Sequence, residues 1–337
     1  MSDWSALTDR VLEGVAISRD QALSVASAPD DELLAVLHAA FRIRSRYHGR
    51  KVRLHLLQNA KSGVCPEDCM FCSQSLRHES TVEQYGMQNV DELIEGADSA
   101  NDSGAVTYCI ATATRGPSAL EIDTICSAVA SLKQKHSLKV CVSLGLLKPG
   151  QAERLRESGV DRYNHNLETS SRYFPKVVTT HSWEDRFQTL EMARAAGLEI
   201  CSGGIIGMGE APEDRVDLAL ALREIGPESV PLNFLDPRPG TPLAASLRLS
   251  PQECLKALAM FRFVHPEADV RLAGGRETAL DTMQPLALFA ANSIFTSGYL
   301  TTPGQGVSED YKLIEQAGFE PESADSAVEG GPKTGPA

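Results

Sequence analysis

From residue 52 onward, short apolar runs alternate with segments whose apolar residues recur every three or four positions. The runs Val52–Leu57, Ala105–Ala111, Lys139–Leu144, Asp161–Asn166, Glu199–Ile205, Val230–Leu235, Asp269–Ala273 and Ser293–Thr296 read as strands. The intervening stretches Val90–Asn101, Ala119–Gln134, Gln151–Glu157, Trp183–Ala196, Arg215–Glu224 and Pro251–Val264 read as amphipathic helices. Apolar strands regularly separated by helices predict a parallel sheet with helices outside it. Eight strands predict an α/β fold closed as a (β/α)8 TIM-type barrel, because an open doubly wound sheet normally has fewer strands. Ahead of the barrel, Leu33, Leu34, Leu37, Ala40 and Phe41 recur at helical spacing behind Pro29-Asp30, so residues 1–50 are expected to form an N-terminal helical extension. The barrel is expected over 51–320. The segment 321–337, ending Gly330-Gly331-Pro332-Lys333-Thr334-Gly335-Pro336-Ala337, has the composition of a disordered tail.

Composition narrows the function classes. A chain of 337 residues with 42% hydrophobic and 23% charged content has enough apolar material for a large core. Its net charge of −13 argues against general nucleic-acid binding, which needs a basic surface to neutralise phosphates. The start Met1-Ser2-Asp3-Trp4-Ser5 is polar, and no run of 18 apolar residues follows. The chain is expected to be cytoplasmic, away from membranes. Eight cysteines in such a compartment read as metal ligands, catalysts or buried hydrophobes rather than disulfides.

The most informative of them are Cys65, Cys69 and Cys72, spaced Cys-x3-Cys-x2-Cys. Thiolates are the usual ligands of iron–sulfur clusters, and three of them would leave one iron of a cubic cluster free for a small molecule. The alternative is a structural zinc site, but that normally takes four ligands in two paired motifs, and no second pair is present here.

Other polar and soft-metal residues fall late in the expected strands or just after them, where barrels carry their reactive groups. Cys109, Cys141 and Cys201 lie on the second, third and fifth strands, Asn164-His165-Asn166 and Glu168 end the fourth, and Asn233 and Arg271 lie on the sixth and seventh. Thr301 and Thr302 follow the eighth. Each has a plainer reading. A strand cysteine can be a small hydrophobe, Arg271 an internal ion-pair partner, and the asparagines a turn. Cys126 and Cys254 sit on expected helices and read as structural. The run Gly203-Gly204-Ile205-Ile206-Gly207-Met208-Gly209-Glu210 misses the dinucleotide fingerprint, although glycines there would let a ligand approach the backbone.

Taken together, these residues resemble a known family. The cysteine motif after a first strand is similar to that of the radical S-adenosylmethionine enzymes. The runs Tyr163-Asn164-His165-Asn166-Leu167-Glu168-Thr169, Ile200-Cys201-Ser202-Gly203-Gly204, Val230-Pro231-Leu232-Asn233-Phe234-Leu235, Val270-Arg271-Leu272-Ala273-Gly274-Gly275-Arg276-Glu277 and Leu300-Thr301-Thr302-Pro303 look like those of the biotin synthases. The resemblance covers about residues 40 to 320.

The resemblance implies two clusters and S-adenosylmethionine as cofactors. Cys65, Cys69 and Cys72 would hold a 4Fe–4S cluster, whose fourth iron S-adenosylmethionine chelates. Cys109, Cys141, Cys201 and Arg271 match the positions that hold a 2Fe–2S cluster deeper in the barrel. Phe71 matches an aromatic position near the adenine, often tyrosine in the family. Asn166 and Glu168 match nucleoside contacts, with Glu168 in place of the aspartate of some members. Arg186 matches a position near the methionine carboxylate, and the Gly204 and Gly207 loop a cofactor-binding one. Asn166 and Asn233 would bind the ureido ring of dethiobiotin, and Thr301 and Thr302 its carboxylate.

The implied reaction is conversion of dethiobiotin to biotin. A reducing flavodoxin- or ferredoxin-type donor supplies the electron that cleaves S-adenosylmethionine to methionine and a 5′-deoxyadenosyl radical. That radical abstracts hydrogen from dethiobiotin, and a sulfide of the 2Fe–2S cluster is inserted over two rounds. A homodimer is implied as well. The rivals are other radical S-adenosylmethionine barrels, of the hydrogenase maturase or methylornithine synthase type, and a non-catalytic iron–sulfur protein.

Overall fold

The computed structural model describes residues 3–322. Its strands are β1 (Lys51–Lys61), β2 (Thr107–Thr112), β3 (Lys139–Ser143), β4 (Arg162–Asn164), β5 (Glu199–Cys201), β6 (Gly204–Ile206), β7 (Ser229–Phe234), β8 (Asp269–Leu272), β9 (Ser293–Thr296) and β10 (Glu320–Pro321). The order β1-β2-β3-β4-β5-β7-β8-β9 is parallel throughout, and β1 pairs with β9 to close the ring. The (β/α)8 barrel expected from the sequence is therefore the observed fold.

One strand differs from expectation. The run Glu199–Ile205 is broken into β5 and β6, which both pair with β7 through Cys201↔Ser229 and Gly204↔Leu232. The facing residue of β7 between these two pairs is Pro231, which has no N–H to offer a ladder. The chain passes it so closely that a Cβ on Gly203 would stand 1.8 Å from the Pro231 carbonyl oxygen. Ser202 bridges the break, its N–H donating to Ser229 O and its hydroxyl to His165 O.

The helices start where their sequences offer caps. Asn89, Ser118, Ser182 and Ser250 each accept from a backbone N–H of the first turn, and Glu92, Glu121, Asp185 and Glu253 answer the cap residue's own N–H. The expected helix at Arg215 begins one turn earlier, at Pro212, a residue pre-set for the first helical turn. Between β8 and β9 the chain makes two short α-helices, Arg276–Leu280 and Gln284–Ala287, joined by the 3-10 turn Asp281–Met283.

Ahead of β1 lie three helices, Trp4–Leu12, Arg19–Ala26 and Leu33–His48. The second and third pack on the barrel helix Pro251–Val264, which is buried from Cys254 to Val264, and the first packs on the third. The third helix buries Leu33, Val36, Leu37, Ala40 and Ile43, a stripe at three- and four-residue spacing. Leu34, expected on that stripe, lies one position off it and is 69% exposed. Two arginines are fully buried in this seam, and both spend their N–H groups on carbonyls. Arg44 donates to Ala291 O, Gly49 O and Lys51 O. Arg262 donates to Ala290, His265, Pro266 and Ala268 carbonyls and to Asn292 Oδ1.

The barrel's C-terminal rim carries the long loops. At its other end β10 joins β1 outside the ring, pairing Pro321 with Val52. The expected tail thus begins as a short paired segment, and its remainder lies outside the described residues. No helix among the described residues is long and apolar enough to cross a membrane.

Candidate active site

Strand ends and loops at the barrel's C-terminal rim surround a cavity of about 270 Å³. Beneath it, inside the ring, is a second cavity of about 50 Å³. The two share Ala111, Ser143, Asn164, Tyr299 and Leu300 as common walls.

The loop after β1 brings Cys65, Cys69 and Cys72 to the outer cavity, with Phe71 among them. Neighbouring backbone fixes this loop. Met70 N–H donates to Val177 O, Cys65 N–H to Gln74 O and Cys72 N–H to Cys69 O. The acidic residues between the first two cysteines moor it sideways. Asp68 accepts from the backbone and hydroxyl groups of Thr179 and Thr180. Glu67 accepts from Thr180, His181 and Arg115. Burial opposes both charges, yet the donated hydrogen bonds win and hold Asp68 down at about 2 and Glu67 below its ordinary value.

Burial pushes the Cys65 and Cys69 thiols up, and Cys72 to about 11. Thiolates at these positions need a cation opposite them, which suits an iron cluster as their partner. Among the described residues, no three His, Cys, Asp or Glu side chains are grouped to hold a single metal ion. The cavity they line has room for far more than one ion or water, so the three cysteines fit a polynuclear group with a small molecule beside it.

Opposite the cysteine loop stand the residues that follow β4. Asn166 Oδ1 accepts from Gly203 N–H at 3.2 Å, and its side chain also hydrogen-bonds the Glu168 carboxyl. Glu168 has φ 68°, in the left-handed region where a non-glycine residue is strained by about 1 kcal/mol or more. It is locked there by a bridge to Gly204, with Glu168 N–H donating to Gly203 O and Ile205 N–H to Glu168 O. Its carboxyl is buried, which pushes its pKa up, and Oε2 has no partner. Arg186 from the helix Trp183–Ala195 donates through Nη1 to Asn166 O at 2.7 Å and to Glu168 Oε1 at 3.2 Å. Its Nη2 reaches to 3.9 Å from Cys69 Sγ.

Two further walls complete the cavity. Asn233 on β7 accepts from Gly274 N–H at 2.8 Å and donates to Gly204 O at 3.2 Å. Thr301 and Thr302 come from the turn after β9, where Ser297 and Leu300 have positive φ. The hydroxyls of Thr301 and Ser73 are 2.9 Å apart, so this turn touches the cysteine loop directly.

The inner cavity is lined by Cys109, Cys141, Cys201 and Arg271. Register brings them together: Cys109 faces Cys141 across β2 and β3, and Cys141 hydrogen-bonds both Cys109 and Cys201. The contact with Cys109, then burial, pushes the Cys141 thiol up against the opposing pull of Cys201, and the contact to Cys141 raises Cys201 in turn. Arg271 Nη1 lies 3.9 Å from Cys201 Sγ, Nη2 donates to Ser229 Oγ at 2.8 Å and to Asp269, and Nε is unpartnered. Burial works against its charge, but Cys201 and Asp269 hold it. Three converging thiols and an orphaned guanidine nitrogen around one void fit a small cluster.

Gly204 and Gly207 line neither cavity, and Ile205 takes the place between them. At Gly204 a Cβ would be 2.4 Å from Glu168 O, so backbone packing by itself requires that glycine. Cys126 and Cys254 stand apart from both cavities, on helices, as expected. Sequence reasoning passed over Glu67, His181 and Tyr299. Glu67 occupies a spacer position of the cysteine motif, and Tyr299 immediately precedes the run Leu300-Thr301-Thr302-Pro303.

Comparison with known proteins follows the same outline. Residues 60–222 match the sequence profile of the Radical SAM superfamily, and residues 231–320 that of the Biotin and Thiamin Synthesis associated domain. The biotin synthase of Salinibacter ruber is 63% identical over 333 residues, covering 99% of this chain and 92% of that one. That of Bacillus subtilis is 48% identical over 325 residues, covering 96% and 97%. Among solved structures, a methylornithine synthase superposes with a TM-score of 0.84 at 20% identity, covering 96% of this chain and 99% of that one. The FeFe-hydrogenase maturase HydG of Carboxydothermus hydrogenoformans gives 0.80 at 15%, covering 95% and 79%. At those identities the two structures share the fold alone.

Proposed function

This chain belongs to the biotin synthase family, a group of radical S-adenosylmethionine enzymes, and from that premise we propose that it converts dethiobiotin to biotin. The reading assigns a 4Fe–4S cluster to Cys65, Cys69 and Cys72, and a 2Fe–2S cluster to Cys109, Cys141, Cys201 and Arg271. When bound, the first cluster with S-adenosylmethionine supplies radical chemistry and the second supplies sulfur.

The chain's own residues bind, orient and shield. Asn166 and Glu168 offer amide donors and a free carboxylate oxygen to a nucleoside, and Phe71 offers a ring to its base. Arg186 offers Nη2 to the methionine carboxylate, a charge-assisted contact. Asn233 is assigned to the ureido ring, and Thr301 and Thr302 to the substrate carboxylate. Tyr299 and Leu300, common to both cavities, bound the substrate on the side of the inner thiols and help to exclude water.

One observation carries this reading: the cavity at the three-cysteine loop shares its walls with the cavity at the strand cysteines. A molecule held in the outer one lies between the two. The reading further takes residues 51–320 as the catalytic barrel, 1–50 as an extension that braces it and 321–337 as a tail. It also takes the protein as a cytoplasmic homodimer served by a reducing flavodoxin- or ferredoxin-type protein.

The test is anaerobic reconstitution with iron and sulfide, followed by dithionite or donor reduction with S-adenosylmethionine and dethiobiotin. Biotin and 5′-deoxyadenosine should both form. Deoxyadenosine without biotin would move the chain to a sibling reaction, and no cleavage of S-adenosylmethionine would leave a non-catalytic iron–sulfur protein.

A further inference from the structure

Arg186 has five N–H groups, and their partners can be followed one by one. Nη1 is spent on Asn166 O and Glu168 Oε1, and Nη2 faces Cys69 and the cavity. Nε donates to His181 Nε2 at 2.9 Å. A ring nitrogen that accepts carries no proton, so the imidazole proton must sit on Nδ1, which contacts the Glu67 carboxylate. Burial, with the charge of Arg186, also lowers the His181 pKa, consistent with a neutral ring. The side chains of Glu67, His181 and Arg186 are 7%, 4% and 8% exposed, so the chain of contacts is shielded from water. Phe174 packs edge-on against the imidazole at 5.7 Å and fixes the ring plane.

We propose that His181 is a positioning residue: braced by Glu67 of the cysteine loop, it aims the Arg186 guanidinium at the carboxylate of S-adenosylmethionine. The proposal rests on the S-adenosylmethionine site assigned above. Its physical content is that an unbraced guanidinium loses rotamer freedom on binding, whereas one held at Nε does not. The brace also ties cofactor binding to the loop that bears Cys65 and Cys69.

Two substitutions separate the two ring nitrogens. His181→Asn keeps a donor near the Nδ1 position for Glu67 but removes the acceptor for Arg186. His181→Gln puts an acceptor near the Nε2 position. With the 4Fe–4S cluster reconstituted, S-adenosylmethionine binding is read by equilibrium dialysis, and independently by its effect on the electron paramagnetic resonance spectrum of the reduced cluster. His181→Asn should keep its iron and weaken binding about tenfold, the scale of one charge-assisted hydrogen bond. His181→Gln should recover most of that loss. Equal affinities in His181→Asn and the unsubstituted protein would overturn the proposal, as would equal losses in both variants. Loss of the cluster in His181→Asn would also overturn it, giving His181 a purely structural place. If the unsubstituted protein bound no S-adenosylmethionine, the underlying site assignment would fall, and the proposal with it.

Discussion

The two cysteine sites of this barrel are built in opposite ways. Cys65, Cys69 and Cys72 lie within one loop, so their grouping is local, and hydrogen bonds from other segments hold the loop in place. Cys109, Cys141 and Cys201 come from three strands, successive members 32 and 60 positions apart (141 − 109 and 201 − 141), and only sheet register makes them neighbours. A loop site can be moored or loosened without disturbing the core. A strand site inherits the rigidity of the ring and cannot move unless the ring does.

The sharpest way to break this comparison is to remove one thiol from each site. Cys69→Ala should abolish iron uptake at the mouth and leave the inner cluster's absorption, and Cys141→Ala should do the reverse. Iron and sulfide content with paramagnetic resonance reads both, and biotin formation should vanish in each. Loss of both clusters in either variant would mean that the sites are not independent.

A smaller effect tests how tightly the ring supports the mouth. Gly204→Ala would place a Cβ 2.4 Å from Glu168 O and 2.6 Å from Leu218. The overpacking should cost about 1–3 kcal/mol in urea denaturation. Gly86, whose Cβ would meet nothing within 4 Å, is the control, and Gly86→Ala should leave the midpoint nearly unchanged. Equal midpoints for the two variants would show that the Glu168 turn is not wedged against β6.

The mildest effect concerns the scaffold apart from either site. Burial lowers His48 and His265 to about 3 from 6.5. Between those values the unfolded chain binds more protons than the folded one, so their contribution to stability is present above about pH 6.5 and is lost as pH falls toward 3. Melting temperature should therefore decline on acidification below about 6.5. A flat profile between pH 6.5 and 5 would mean that these imidazoles are not buried as neutral groups. His265→Gln, which can keep a donor to Ala219 O, should shallow the decline.

Much of the architecture was legible in the chain. Helices Gln151–Glu157 and Pro251–Val264 have the bounds that their sequence patterns predict, the second behind its Ser250 cap, because those signals act within a few residues. The break between β5 and β6 was not legible: it depends on Pro231 facing Gly203 across a ladder, a meeting of residues 28 apart (231 − 203). Leu34 misled because a stripe on a helix is buried only where a partner covers it. Glu67 and His181 were missed because an ordinary glutamate and a histidine acquire meaning only when a loop is folded against its moorings.

The chain by itself determined the local things: the period of each element, the caps, the three-cysteine loop, and the set of residue types placed at strand ends. These follow from short-range sterics and hydrogen bonding, which a sequence window contains. Tertiary structure alone decided which strand residues share a cavity, that Glu168 is held in a strained turn, and that Arg186 is braced by His181 and Glu67. Those outcomes depend on barrel closure and register, which are settled by burial summed over the whole chain and not by any one segment.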